Sequence, residues 1–331
     1  MQKYTNIRKK EKKSKEKLHK PTFFATFAEK MRYQQLWRSL LTAYHEGEAR
    51  AVARTLIEDK YGLTLADVMC EDIETLAQAN SQGTMTCESV RNSLADDIQR
   101  LTRHEPVQYV TRRAWFADRC FAVRPGCLIP RPETEELCQW IEEQNKAIYD
   151  DGHTPHILDI GTGSGCIAIT LALGIPKAKV EAWDISDEAL AIASDNAEYL
   201  HADVRMRRQD ALMPPQDDRT LWDVIVSNPP YIRRMEMEEM EPNVTKYEPH
   251  LALFVDDTDP IVFYRHIAMY ASHALKRGGW LYFEINPECH TAMKEMLQHH
   301  GFMNIETRQD QWGKKRMMRA QRGLTNLTPE K

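Results

Sequence analysis

A short apolar run, Ile157-Leu158-Asp159-Ile160, leads into Gly161-Thr162-Gly163-Ser164-Gly165-Cys166, and Ile167-Ala168-Ile169-Thr170-Leu171-Ala172 then reads as the opening of a helix. Strand, glycine turn and helix in that order leave little choice of architecture. They begin a parallel βαβ unit whose turn lies at the carboxyl edge of a sheet, where backbone can approach a ligand closely. The spacing is Gly-x-Gly-x-Gly. Cys166 stands where a dinucleotide fingerprint needs its third glycine, which points away from a pyrophosphate-bearing cofactor and toward a compact one such as S-adenosylmethionine (SAM). Gly161, Thr162, Gly163, Ser164 and Gly165 are the expected cofactor loop.

The segments downstream continue the alternation. Strand patterns cover His156 to Ile160, Val180 to Trp183, Val204 to Arg208 and Trp222 to Ser227, with helical patterns over Ile167 to Leu173 and Glu188 to Leu200. A helix over Ile261 to Leu275, a turn at Gly278-Gly279, a strand over Trp280 to Ile285, a helix over Glu288 to His299 and a closing strand pair (Phe302 to Thr307, Arg316 to Ala320) follow. The expected class is α/β, a mostly parallel sheet with helices on both faces. Asp184 ends the second strand, placed to accept ribose hydroxyls; the alternative is a helix N-cap, a role that Ser186 and Asp187 also fit. Asp210, with Ala211 beside it, follows the third strand and is a candidate for an adenine amino group.

Upstream, Leu36, Leu40, Leu41 and Tyr44, then Val52, Leu56 and Ile57, recur at helical steps, so residues 31–105 read as a small helical domain. Residues 106–130 turn β-rich, with Tyr109, Trp115, Phe116, Phe121 and Val123 between prolines, and read as a hairpin linker. Pro130-Arg131-Pro132-Glu133-Thr134-Glu135 comes next. Glu133 or Thr134 is placed to open a helix carrying Leu137, Trp140 and Ile141, which begins the main domain over 131–322. Residues 323–331 read as a tail.

Asn228-Pro229-Pro230-Tyr231 directly follows the buried run Trp222-Asp223-Val224-Ile225-Val226-Ser227. As turn punctuation the four residues would be ordinary. At the carboxyl end of a strand beside a SAM loop they suit another task. A planar amide or ring-amine nitrogen is a poor nucleophile because its lone pair is delocalised. An Asn oxygen and a prolyl carbonyl can accept both of its N–H groups while an aromatic ring confines it. Pro-Pro prevents helix continuation and fixes those acceptors beforehand. The catalytic candidates are Asn228, Pro229 and Tyr231, with Pro230 completing the substrate site.

The net charge is −5, yet the first twenty residues hold nine Lys or Arg. Residues 1–30 therefore read as a solvated basic arm, with a weak polyanion contact as its other reading. The arm lacks the apolar run of a secretory signal, and no stretch in the chain reaches the ~20 apolar residues of a membrane span. The seven cysteines show no zinc spacing. The expectation is a cytoplasmic protein with reduced thiols and no metal.

Taken together, Asp159 to Gly165, Ile225 to Ile232 and Ile129-Pro130-Arg131-Pro132-Glu133-Thr134-Glu135 resemble the peptide chain release factor glutamine methyltransferases, the HemK/PrmC family. The likeness runs from about Met31 to Gln321 and includes Glu248-Pro249-His250-Leu251-Ala252-Leu253. It implies a class I SAM-dependent methyltransferase fold, Rossmann-like with a seven-stranded mostly parallel sheet, a small N-terminal helical domain and a linking β-hairpin. It also implies methyl transfer to the side-chain amide of the glutamine in the Gly-Gly-Gln motif of release factors, with S-adenosylhomocysteine as product. Carried over by position, Gly161 to Gly165, Asp184 and Asn228 would hold SAM, and Asn228 to Tyr231 the glutamine amide. Three positions depart from the family pattern. Val255 to Ile261 replaces an Asp-Gly-Leu segment, Ala211 an aromatic residue, and Asn286 a glycine.

Asn-Pro-Pro-Tyr is shared with enzymes that methylate adenine or guanine amino groups in nucleic acid. These form the alternative reading, along with a glutamine methyltransferase acting on a ribosomal protein. A flipped base would call for a basic groove, and this chain is acidic apart from its arm.

Overall fold

The helical segment buries one stripe of each helix. In the computed structural model, which describes residues 30–149, 153–216 and 221–323, α1 (Tyr33–Ser39), α2 (Glu46–Tyr61), α3 (Leu65–Cys70), α4 (Ile73–Asn80) and α5 (Cys87–Thr102) come first. Leu36, Leu40, Leu56 and Ile57 are fully buried, whereas Leu41, one position beyond Leu40, faces solvent. Gly62 ends α2 in the left-handed conformation, and a reciprocal Thr64–Asp67 capping box opens α3. The chain divides into two compact units, up to Ile98 and from Gln99 onward. That division falls inside α5, ahead of the boundary expected at residue 105. Apart from Lys30, the basic arm lies outside the described residues, as do residues 324–331 of the tail.

In the second unit, residues 106–130 are only partly the expected hairpin. Val107–Thr111 forms a helical turn, α6, and only β1 (Arg113–Phe116) and β2 (Arg119–Ala122) make the antiparallel hairpin. The turn buries Tyr109 and Val110, and the Tyr109 hydroxyl donates to the Cys127 carbonyl at 2.6 Å. Helix α7 (Pro132–Tyr149) then starts at Pro132, whose missing N–H costs nothing in a first turn. Thr134 therefore does not open the helix, and its hydroxyl is used elsewhere.

Seven strands form the main sheet: β3 (His156–Ile160), β4 (Lys179–Asp184), β5 (Val204–Arg208), β6 (Trp222–Ser227), β9 (Leu275–Glu284), β10 (Phe302–Gln309) and β11 (Lys315–Arg322). Their order is β10-β11-β9-β6-β3-β4-β5, parallel except that β11 runs antiparallel to both neighbours. Between β6 and β9 come a short parallel pair, β7 (Ile232–Arg233) and β8 (Phe254–Val255), and helices α10 (Pro242–Tyr247) and α11 (His250–Leu253). The expected turn at Gly278-Gly279 is strand instead, with a register irregularity on β6 between Trp222 and Val224. A Cβ at Gly279 would lie 2.9–3.1 Å from three backbone oxygens, so only glycine allows the strands to approach there.

Both faces of the sheet are covered, which is why the middle of β6, Val224 to Val226, is apolar at consecutive positions. Ile225 packs with Tyr264, Ile267 and Tyr270 of α12 (Val262–Ala274) and Met293 of α13 (His290–His299). Val224 and Val226 meet Trp140 of α7 and Ile167 and Leu171 of α8 (Cys166–Gly174) on the other side. After β3 the chain passes outward through α8, β4, α9 (Asp187–Tyr199) and β5, then returns to β6 on the opposite side of β3. The strand order therefore reverses between β3 and β6, and the carboxyl ends of those strands leave a crevice. Among the described residues no helix is long and apolar enough to cross a membrane. None of the seven cysteines is in a disulfide among the described residues.

Candidate functional site

A cavity of about 370 Å³ occupies that crevice. Ile160, Asp184, Asp210 and Ser227, at or just past the ends of four parallel strands, contribute to its wall, and Leu128, Leu212 and Phe263 add apolar surface. Its size is at the lower end of small-molecule sites.

The glycine loop separates into two jobs. Gly161 and Gly163 line the cavity, and a Cβ on either would meet nothing within 4 Å, so the open side of the loop is available to a ligand. Gly165 is not at the wall. Its Cβ would come within 2.9 Å of Ile169 Cδ1 and 3.1 Å of Ala193 Cβ, so glycine there lets α9 pack against the start of α8. Thr162 and Ser164 also stand behind the loop. Thr162 Oγ1 donates to Asp159 Oδ2 at 2.6 Å, and the Ser164 carbonyl accepts from Asn196 Nδ2. Asn196, fully buried on α9, also pairs with both backbone groups of Ala122, so one side chain joins hairpin, helix and glycine loop.

Asp184 resolves the choice left open by the sequence. Ser186 Oγ caps α9, and Asp184 accepts instead from Gly163 N and Ser186 N. Burial pushes its carboxyl up, opposed by those backbone bonds. A carboxylate oxygen can accept more than one hydrogen bond, and Asp184 lines the cavity. Asp210 Oδ1 accepts from Leu212 N at 2.8 Å, and Oδ2 has no partner among the described residues. Asp159 is fully buried, with Oδ1 unpartnered, and burial pushes its carboxyl up to about 7. A glycine cradle, a paired carboxylate and an apolar far wall fit SAM. Ala211, Leu212 and Phe263 supply the apolar surface where the aromatic residue after the third strand is missing.

The Asn228-Pro229-Pro230 segment forms the adjoining wall. Asn228 Nδ2 donates to Thr134 Oγ1 at 3.2 Å, leaving its Oδ1 without a protein partner among the described residues. Thr134 in turn donates to Glu284 Oε2 at 2.6 Å. Tyr231 is not at the cavity wall; its half-buried ring packs on the core, and its hydroxyl donates to Glu284 Oε1 at 3.0 Å. Burial pushes both the Tyr231 hydroxyl and the Glu284 carboxyl up, the latter opposed by these two hydrogen bonds and the nearby Arg316 charge. Asn286, in place of a glycine, donates to the Tyr231 carbonyl at 3.3 Å.

Residues 141–245 match the methyltransferase small domain family. The release factor glutamine methyltransferase of Bacteroides thetaiotaomicron is 43% identical over 286 residues, covering 86% of this chain and 97% of that one. The chain belongs to the release factor glutamine methyltransferase family. The Flavobacterium psychrophilum relative of the same name is 44% identical over 223 residues, 67% of this chain and 78% of its own. A solved methyltransferase from Pyrococcus furiosus is similar with a TM-score of 0.44 at 19% identity, over 61% of this chain and 88% of that one. The fold is the class I methyltransferase fold, and the protein is a methyltransferase.

For this methyltransferase, sequence reasoning missed part of the cavity wall outside the glycine loop. Gly126, Cys127 and Leu128 contribute there, and burial pushes the Cys127 thiol up to about 11, so it is neutral. Pro249, Leu251 and Ala252 line the same cavity, and their segment is tied to the Pro-Arg-Pro turn by buried Glu248, which accepts from Ile129 N and Arg131. The signal was in the sequence as two restrictive motifs; that one carboxylate links them was not. The divergent 255–261 loop folds on its own acids. Asp256 accepts from Thr258, Asp257 from Met235 N, and Asp259 pairs with Arg265.

Proposed function

We propose that this methyltransferase uses SAM to methylate the side-chain amide nitrogen of the glutamine in the Gly-Gly-Gln motif of release factors. The orientation of Asn228 at the wall of the switch-point cavity carries the reading. Thr134 has one hydroxyl proton and gives it to Glu284, so it can only accept from Asn228. The amide must present Nδ2 to Thr134 and Oδ1 to the cavity. An outward oxygen suits an N–H donor, as a glutamine amide offers.

SAM, when bound, supplies a methyl group on a sulfonium that an incoming nitrogen displaces, leaving S-adenosylhomocysteine. Asn228 Oδ1 and the Pro229 carbonyl hold the two amide hydrogens, so the nitrogen lone pair is turned toward the methyl as the nitrogen becomes pyramidal. Neither proline has an N–H to compete for those acceptors. Gly161 and Gly163 receive the cofactor, and Asp184 takes its ribose hydroxyls. The substituted nitrogen becomes acidic only as the new bond forms, so its proton can pass to solvent without a dedicated strong base.

The test is mass spectrometry of an intact release factor and a Gly-Gly-Gln peptide after incubation with enzyme and SAM. The expected result is one added methyl, localised by fragmentation to the motif glutamine. A ribosomal protein or nucleic acid methylated in preference to the release factor would overturn the reading.

A further inference from the structure

Glu284 closes the carboxyl end of β9 with 2% of its surface exposed, and Thr134 in the first turn of α7 is equally buried. Removing a carboxylate from water is costly, and hydrophobic residues fill such a position as well or better for stability alone. What this carboxylate does is accept from two side chains at once. Oε2 takes the Thr134 hydroxyl and Oε1 the Tyr231 hydroxyl, while its own backbone carbonyl accepts from buried Tyr264. Because it takes the Thr134 proton, Thr134 can only accept from Asn228 Nδ2. The two ends of Asn228-Pro229-Pro230-Tyr231 are thus held by one group that does not reach the cavity.

We propose that Glu284 is a positioning residue which, through Thr134, fixes the Asn228 amide with its oxygen toward the cavity and, through Tyr231, holds the far end of the same turn. This deepens the proposed function and rests on it for the substrate. Without the relay, Asn228 is free to turn its NH2 toward the substrate, where donor would face donor. A carboxylate can do this because it only accepts. A glutamine at 284 has one acceptor and one donor end, so it can satisfy only one of the two hydroxyls in the native sense.

The test compares wild type with Thr134→Val, Thr134→Ser, Glu284→Gln, Asn228→Ala and the double variant Thr134→Val/Asn228→Ala. All are assayed by single-turnover methyl transfer to a Gly-Gly-Gln peptide, with SAM binding by calorimetry and melting followed in parallel. Thr134→Val is expected to lose about 10- to 100-fold in turnover with SAM affinity unchanged. Thr134→Ser should restore most of the rate, Glu284→Gln should fall between, and the double variant should be no slower than Asn228→Ala alone. Wild-type turnover in folded Thr134→Val, or losses that multiply in the double variant, overturn the relay.

A second readout does not depend on the substrate. The Asn228 side-chain NH2 signals, assigned by their loss in Asn228→Ala, should exchange slowly with water in wild type and Thr134→Ser and quickly in Thr134→Val. Equal exchange in all three overturns the relay. A wild-type enzyme that leaves the peptide unmodified would defeat the substrate reading alone, and the exchange measurement would still decide the relay.

Discussion

The Gly163 amide donates to Asp184 Oδ2 at 2.9 Å. The bond joins the turn after β3 to the acid at the end of β4, so the loop proposed to receive the cofactor and the carboxylate proposed to hold its ribose are positioned as one unit. Ser186 N holds the other oxygen at 2.9 Å. The carboxylate is thereby oriented before any ligand arrives, which is the condition for a ribose contact to keep most of its energy.

Replacing Asp184 with Ala should weaken SAM binding by about 1.5–3 kcal/mol, the range for a hydrogen bond to a charged group. The fold should persist, because burial already works against this carboxylate and its removal relieves that cost. Calorimetric titration with SAM, beside a melting curve, checks both halves. Unchanged affinity would remove Asp184 from the cofactor site.

Gly163→Ala and Gly165→Ala should fail differently. Both sites have positive φ, +56° and +82°, so each alanine carries strain of roughly 1–2 kcal/mol. At Gly163 the new methyl meets open space on the cavity side, and the main loss should be in SAM affinity. At Gly165 it meets Ile169 and the Ala193 backbone, adding about 1–3 kcal/mol of overpacking. Denaturant titration should therefore rank Gly165→Ala as the less stable protein, and calorimetry should show Gly163→Ala as a folded, weak binder.

Asp159 gives a pH signature. Burial holds its carboxyl at about 7 in the folded protein, against ~3.9 in an unfolded chain. The folded state keeps a proton that the unfolded chain has released, so this contribution to stability is complete below about pH 4 and is lost as pH rises through about 7. Unfolding free energies of wild type and Asp159→Asn, measured from about pH 5 to 8, should show wild type losing ground to the variant as pH rises. Glu284 and Asp184 are raised in the same direction but cancel in the difference. Parallel curves would place the Asp159 carboxyl in its ordinary range.

Much of the main domain was legible because its signals are local. The apolar runs at Ile157 and Val224 need no partner to be recognised as strands buried on both faces, and the glycine turn marks the carboxyl edge. Val107 to Thr111 misled because Tyr109 and Val110 are as consistent with strand as with a helical turn; the Tyr109–Cys127 bond that favours the turn spans eighteen residues. Gly278-Gly279 misled because a glycine pair signals a turn locally, while the reason for Gly279 is the backbone of another strand. The site divided in the same way. Gly161, Gly163, Asp184 and Asn228 sit at the cavity, but Tyr231 turns inward to Glu284, a partner 53 positions away that no spacing rule connects to it.

Asn228→Asp is the sharpest test of the active-site reading, because it preserves shape and exchanges Nδ2 for an oxygen. Thr134 Oγ1 accepts from Nδ2 in the native protein while its proton is committed to Glu284. An aspartate at 228 would set an acceptor against that acceptor and place a second carboxylate near Glu284. The new group must either turn away or take a proton, and neither restores the native clamp. SAM affinity should be little changed, since the glycine loop and Asp184 are untouched and a negative charge does not repel a sulfonium. Methyl transfer should fall by about 100- to 1000-fold, as when one preorganised contact to a developing charge is lost. Tyr231→Phe should lose less, because the ring remains packed on the core and only its bond to Glu284 goes. Single-turnover rates on a Gly-Gly-Gln peptide, with SAM saturating, separate the two. A wild-type rate for Asn228→Asp would place the amide clamp elsewhere in the cavity.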